Sequence, residues 1–225
     1  MAPFGASRAG LMSTRVDAIP DSDVYLQDDW GDNKLTDRDD SGTTTHNGVE
    51  GVYRPEWTAP SGFSTANAEN EQLEISDGEA VSTNINLNLD ETVTWEFSVD
   101  YSSGGTDSGR ATSIALYSES LKYDDSAGFR PNTSYVFWGG RDVDFRISEI
   151  DDNGNVTDLI SGLTPSDELF DVKVTRQPNG EWELFIDDSS QGSDTDTTHT
   201  NPEHCVITAE DGDVQTHIIP DIKVF

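Results

Sequence analysis

The sequence predicts an all-β fold of two antiparallel sheets packed as a sandwich, and three observations carry that prediction. Residues 92–101 (TVTWEFSVDY) alternate strictly, with Val93, Trp95, Phe97, Val99 and Tyr101 on one face and Thr94, Glu96, Ser98 and Asp100 on the other. A period of two with one wet face is a strand that half-covers a core. Turn signals separate such runs: residues 151–155 (DDNGN) and 177–180 (QPNG) both read as hairpin loops. No stretch of ten residues shows the 3.6-residue apolar spacing of an amphipathic helix, so short strands between turns point to a sandwich or barrel.

Along the chain, residues 1–20 (MAPFGASRAGLMSTRVDAIP) stand apart. They hold Arg8 and Arg15 against a single Asp17 and contain both methionines. No basic start precedes their apolar part and Arg8 interrupts it, so they do not read as a signal peptide. We read residues 1–20 as a docking arm with Phe4, Arg8, Leu11, Met12 and Arg15 as its contacts, and residues 21–225 as one β-sandwich domain. In the body, strands are expected at 73–75, 81–87, 92–101, 113–117, 135–138, 144–150, 156–160, 170–176, 181–188, 205–208, 214–219 and 222–225. Residues 187–201 (DDSSQGSDTDTTHTN) are polar and low in complexity and are expected to form a surface loop. Cys205 is the single cysteine, so no internal disulfide forms. It reads as a buried strand thiol, because the spacing of His199, His204 and His217 matches no zinc pattern.

The charge divides in the same way. Of a net −31, the first 20 residues contribute +1 and the remaining 205 contribute −32. A body this acidic argues against nucleic acid as a partner and against an anionic membrane surface, and no apolar run is long enough to span a bilayer. Four lysines, 44 acidic residues and a pI near 4.1 fit a protein that works in concentrated salt, where like charges are screened within about 3 Å at 1 M.

The hairpin FDVKVTR (170–176), QPNG (177–180) and EWELFIDD (181–188), with YLQDDW (25–30) and RPEWTAP (54–60), resembles the concanavalin A-like lectin/glucanase superfamily, laminin-G-like domains included. The resemblance covers about residues 21–225. It implies a curved two-sheet jelly roll, glycan binding as an alternative function and a structural calcium near the sandwich edge. MAPFGASRAGLMS (1–13) resembles the N-termini of virion proteins from tailed viruses of haloarchaea. Together these imply a homo-oligomeric virion structural protein: a capsid turret, tail fibre or baseplate appendage on the particle surface in high salt. Its arm would hold other virion proteins and its sandwich would face a host-surface glycan.

Chemistry by hydrolysis is not expected. Glucanases of the resembled superfamily use E-x-D-x-E with two working carboxylates, and the nearest match, residues 149–153 (EIDDN), ends in Asn153. GASRAG (5–10) falls short of a nucleophile elbow, and no Gly-Lys pair supplies a phosphate loop. For calcium, which takes six to eight oxygens, Asp28, Asp29 and Asp221 are the candidate ligands. For sugar stacking the candidates are Trp57, Tyr123, Tyr135 and Trp138, which lie beside loop-like sequence; the competing reading is that they are core. Asn132 and Asn155 head glycosylation sequons.

One prediction follows from charge alone. The melting temperature should be higher at about 1 M salt than at about 0.1 M, where screening extends to about 10 Å. Equal melting at both, measured by circular dichroism, refutes the high-salt reading.

Overall fold

A computed structural model describes residues 24–38, 41–46, 48–76, 78–100, 112–123, 130–140, 143–164, 169–209 and 217–225, and the described residues contain strands and turns but no helix. The docking arm expected at residues 1–20, with Phe4, Arg8, Leu11, Met12 and Arg15, lies outside them. In chain order the strands are β1 (Leu26–Asp28), β2 (Gly42–His46), β3 (Val49–Tyr53), β4 (Asn67–Glu69), β5 (Gln72–Ile75) and β6 (Ala80–Asn84). There follow β7 (Val93–Asp100), β8 (Thr112–Ser118), β9 (Ser134–Gly140), β10 (Val143–Ile150), β11 (Val156–Ser161) and β12 (Leu169–Arg176). The last are β13 (Glu181–Ile186), β14 (Ser189–Thr195), β15 (His204–Ala209), β16 (His217–Ile219) and β17 (Ile222–Val224).

They form two sheets. The larger runs β14-β13-β12-β7-β17-β1-β3-β2, with β16, β5 and β4 attached beside β7; the smaller runs β11-β10-β9-β8-β15-β6. The predicted alternation decides which side chains meet. Trp95, Phe97, Phe170, Trp182 and Leu184 from the larger sheet share one buried cluster with Ile114, Tyr117, Tyr135, Phe137, Phe145 and Cys205 from the smaller. Aromatic contacts bridge the layers: Phe97 to Phe137 at 5.1 Å, Phe145 to Phe170 at 5.2 Å and Tyr135 to Trp182 at 4.6 Å between ring centres. Each such pair is worth about 0.5–1.5 kcal/mol beyond its buried area. The Trp95 indole N–H also donates to the Leu116 carbonyl across the core, at 2.9 Å.

Residues 187–201 are not simply a loop. Ser189–Thr195 pair with β13 as strand β14, with a register shift at Leu184/Phe185. This strand has no apolar stripe because it is an exposed edge, held by its backbone ladder and by Gln191, whose Oε1 accepts from the Leu163 N–H at 3.0 Å. The expected strand at 81–87 ends at Asn84, because the Ile85 N–H turns to the Glu203 carbonyl.

The start and end of the body meet, since β1 is antiparallel to β17 and parallel to β3. The close approach of Val24 to this layer requires a glycine: a side chain on Gly51 would lie 2.1 Å from the Val24 carbonyl oxygen and 2.6 Å from Thr44 Oγ1. Just after β1, the buried Asp28 collects four donors. Arg38 reaches it with both terminal nitrogens, the Trp30 N–H donates at 2.8 Å and the Trp57 indole N–H at 2.8 Å. Burial works against the Arg38 charge, yet Asp28 and Asp32 hold its pKa above the usual value, so the guanidinium stays charged. Trp30, Asn33, Asp37 and Arg54 all have positive φ, from 45° to 54°. Non-glycine residues adopt this backbone only where surrounding contacts over-determine it.

Replacing Asp28 with Asn leaves Arg38 buried with half of its compensation. A cost of about 3 kcal/mol is expected for breaking such a pair, a fall in Tm of about 6–12 °C for a chain of this size. Asp29→Asn, which touches the part-exposed Arg54, should lower Tm less. Equal melting of Asp28→Asn and the unaltered protein, by calorimetry, contradicts the assigned role.

Candidate functional site

The outward face of the larger sheet carries a groove of about 330 Å³. It is built from the polar half of the predicted alternation. Cross-strand register places Phe185 beside Lys173, Lys173 beside Glu96, Glu96 beside Lys223 and Lys223 beside Gln27, in one row across β13, β12, β7, β17 and β1. One step along, Ser98 lies opposite Asp171 and its hydroxyl donates to the Asp171 carboxylate at 3.0 Å. Asp188 and Asp221 complete the lining. Two half-buried phenylalanine rings lie against these lysines, outside the groove lining: Lys173 Nζ lies 5.6 Å from the Phe185 ring centre and Lys223 Nζ 4.8 Å from that of Phe225.

The electrostatics are mixed. Asp221 has an open residue surface, but its carboxyl is pushed above the ordinary value. Loss of water is the first cause; hydrogen bonds from Ser98 oppose it, and Asp171 and Asp29 add repulsion. The Asp221 carboxyl thus adds an acceptor beside Ser98 and Asp171 in the groove.

Of the sequence candidates for calcium, only Asp221 falls here. Asp28 is corrected: its oxygens are engaged by Arg38, Trp30 and Trp57. Asp29 Oδ1 accepts from Arg54 Nε at 2.8 Å and from the Gly31 N–H at 3.2 Å. These carboxylates are neutralised by arginines, which is incompatible with three ligands closing on a cation. Among the described residues no group of three His, Cys, Asp or Glu side chains is placed to hold a metal ion.

Two of the four stacking candidates are also corrected. Trp57 and Tyr135 are fully buried and offer no ring face. Trp57 serves Asp28, and the Tyr135 hydroxyl donates to Asp196. Trp138 is half-buried on the outer face of the smaller sheet; the Arg130 and Arg146 guanidinium carbons lie 4.3 and 4.9 Å from its ring centre, and its indole N–H donates to Ser148 Oγ at 2.7 Å. Tyr123 is half-buried with its ring 4.6 Å from that of Phe63. Both rings therefore have internal partners already.

Three further residues can be placed. Glu149, the head of the partial glucanase motif, faces inward from β10, with its carboxylate 2.9 Å from His199 Nε2, and burial pushes its pKa up. The Cys205 thiol is buried and burial pushes it up to about 12. Of the sequon asparagines, Asn132 is buried and donates to the Asp152 carbonyl, whereas Asn155 is exposed.

The sequence reading missed Phe185, Phe225, Lys173 and Lys223. A signal existed: Phe185 is an apolar residue at a wet position, between inward-facing Leu184 and Ile186.

No protein-family model and no curated protein matches the chain. Solved structures do match. The carbohydrate recognition domain of Emp46p, in its potassium-bound form, superposes with a TM-score of 0.57 at 13% identity, covering 75% of this chain and 88% of that one. The corresponding domain of Emp47p gives 0.58 at 12% identity, covering 75% and 87%. Carbohydrate-binding module CBM66 from Bacillus subtilis gives 0.51 at 13% identity, covering 75% and 94%. At these identities the likeness is one of fold, and the fold of this chain is a lectin-like β-sandwich.

Proposed function

We propose that the chain is a carbohydrate-binding module whose ligand lies in the groove lined by Lys173, Lys223, Glu96 and Asp221. One observation carries this reading. The chain has four lysines against 44 acidic residues, and two of them, Lys173 and Lys223, line this one groove. The other two are tied to nearby backbone, Lys34 Nζ donating to the Asp37 carbonyl and Lys122 Nζ to the Asp152 carbonyl. Lysines and carboxylates set in a row supply donors and acceptors for sugar hydroxyls, and the phenylalanine rings offer apolar faces to pyranose C–H groups. The groove volume is at the lower end of small-ligand sites, which run from about 300 to 1,000 Å³, and so suits a short saccharide. The reading is of binding rather than hydrolysis, since Glu149 faces the interior beside His199. The domains of similar fold, described as carbohydrate recognition and carbohydrate-binding, support it.

A finer placement rests on the sequence: display on the surface of a virus particle, anchored through residues 1–20, whose net +1 contrasts with the −32 of the body. Removing them should abolish incorporation into particles and leave sugar binding intact.

The groove is tested by a glycan array followed by calorimetry. Lys173→Ala, Lys223→Ala and Phe185→Ala should each weaken the bound glycan about tenfold, equivalent to about 1.4 kcal/mol, with little change in melting. Asp221→Asn separates binding from folding. A carboxyl whose folded pKa is raised costs stability once pH rises above its unfolded value. At neutral pH the Asn variant should therefore melt at or above the unaltered protein while binding more weakly. Unchanged binding in all four variants sinks the assignment.

A further inference from the structure

The two long edges of the sandwich are finished differently. On one side β14 and β11 approach each other, and Gln191 bridges to Leu163. On the other, β2 ends the larger sheet and β6 ends the smaller, and a groove of about 620 Å³ separates them. The β6 edge is already capped: Ser82 exchanges backbone hydrogen bonds with Thr58, and the Ala80 N–H donates to the Ser64 carbonyl. The β2 edge is not.

Register shows which β2 groups are open. The Val52 and Arg54 N–H groups donate to Tyr25 and Gln27 of the β1 side, so Glu50 and Val52 face β1, while Gly51 and Tyr53 face β2. Thr44 is opposite Gly51, whereas Thr43 and Thr45 are opposite Val52 and Glu50. The N–H and C=O groups of Thr43 and Thr45 therefore point away from β3, and no backbone partner for them occurs among the described residues. Free edges are normally blunted by Lys, Pro, a bulge or a cover. The β2 sequence GTTTH contains neither Lys nor Pro, and its pairing with β3 runs without a register shift.

We propose that this edge is a strand-docking site for the N-terminal segment, residues 1–20, of a second copy of the chain. Three observations select that occupant. Among the described lining residues Glu56 alone is charged, with Thr43, Thr58, Thr83, Asn84 and Leu121 around it, so the groove accepts an extended, near-neutral strand. Residues 1–20 carry +1, while the rest of the chain carries −32, so this segment brings almost no charge that must lose water in the groove. The described chain begins at Val24, whose carbonyl accepts from Thr44 Oγ1 at 2.6 Å. Val24 therefore packs against a β2 side chain four residues after this segment, and under the proposal two copies set edge to edge about a twofold axis exchange segments reciprocally. An extended run of 20 residues reaches about 66 Å, ample to lie along the five residues of β2. Backbone pairing supplies the affinity, and Leu11 and Met12 supply apolar contact.

Light scattering on the full chain in molar salt tests this. The unaltered protein should have twice the chain mass. Thr45→Pro removes an outward N–H and leaves the β2–β3 ladder intact, and it should give a monomer with unchanged melting. Leu11→Asp with Met12→Asp should also give a monomer. Mixing these two variants reunites an intact segment with an intact edge, and association in the mixture should be at least tenfold tighter than in either variant alone. A monomeric unaltered protein, a Thr45→Pro variant that still dimerises, or a mixture that stays monomeric each overturns the proposal. Trypsin protection of Arg15 in a monomer would show instead that the segment covers its own edge, which also overturns it.

Discussion

The buried pair of Asp28 and Arg38 is the constraint on which much of the larger sheet depends. A carboxylate out of water must be matched donor for donor, or its desolvation is uncompensated. Here Arg38, the Trp30 backbone and the Trp57 indole offset that cost in part, and burial still holds the Asp28 carboxyl above its ordinary pKa. The match ties the turn after Asp28 and Arg38 to Pro55 and Trp57, with left-handed backbone at Trp30, Asn33, Asp37 and Arg54. It also holds β1 in place between β17 and β3. Strand β17 and the residue before it bring Lys223 and Asp221 to the groove. An interaction that touches no ligand thus positions half of the candidate site.

The two faces of the larger sheet divide the work. The inner face is closed by aromatic contacts with the smaller sheet and leaves little freedom for substitution. The outer face bears alternating charge, with apolar rings only where a ligand could use them. Phe185 and Phe225 gain nothing from the core, since their neighbours Leu184, Ile186 and Val224 already face it. Each instead lies against a lysine. Cation–ring contacts at a half-exposed site contribute about 0.5–1 kcal/mol, enough to orient the ammonium groups and leave hydrogen-bonding capacity toward the groove.

Strands with one dry and one wet face were legible because their period of two is written in side chains: β7, β10, β12 and β13 fall where alternation placed them. The edge strands β2 and β14 were not. Their residues, GTTTH and SSQGSDT, bury too little to leave a pattern, and only backbone pairing reveals them. The site failed for a related reason. Trp57 and Tyr135 lie near loop-like sequence, but a large ring with a polar tip is also what a core uses to satisfy a buried carboxylate. Asp28 and Asp29 lie near Asp221 in space, as the mutual approach of β1 and β17 requires. Spacing could not show that Arg38 and Arg54 had claimed them, because those contacts span 10 and 25 residues of irregular chain.

The net charge acquires a local meaning from this arrangement. The 44 carboxyl groups of the chain offer incoming hydroxyls acceptors alone when ionised, and acceptors alone discriminate poorly among sugars. Specific recognition needs donors at fixed positions among them. In a chain with four lysines, placing two in register on either side of Glu96 creates such a pattern. The same scarcity of positive charge explains why residues 1–20 differ from the body: at molar salt repulsion is short-ranged, but two acidic surfaces brought into contact still desolvate like charges. Contact between copies is then least costly through a segment that has almost none.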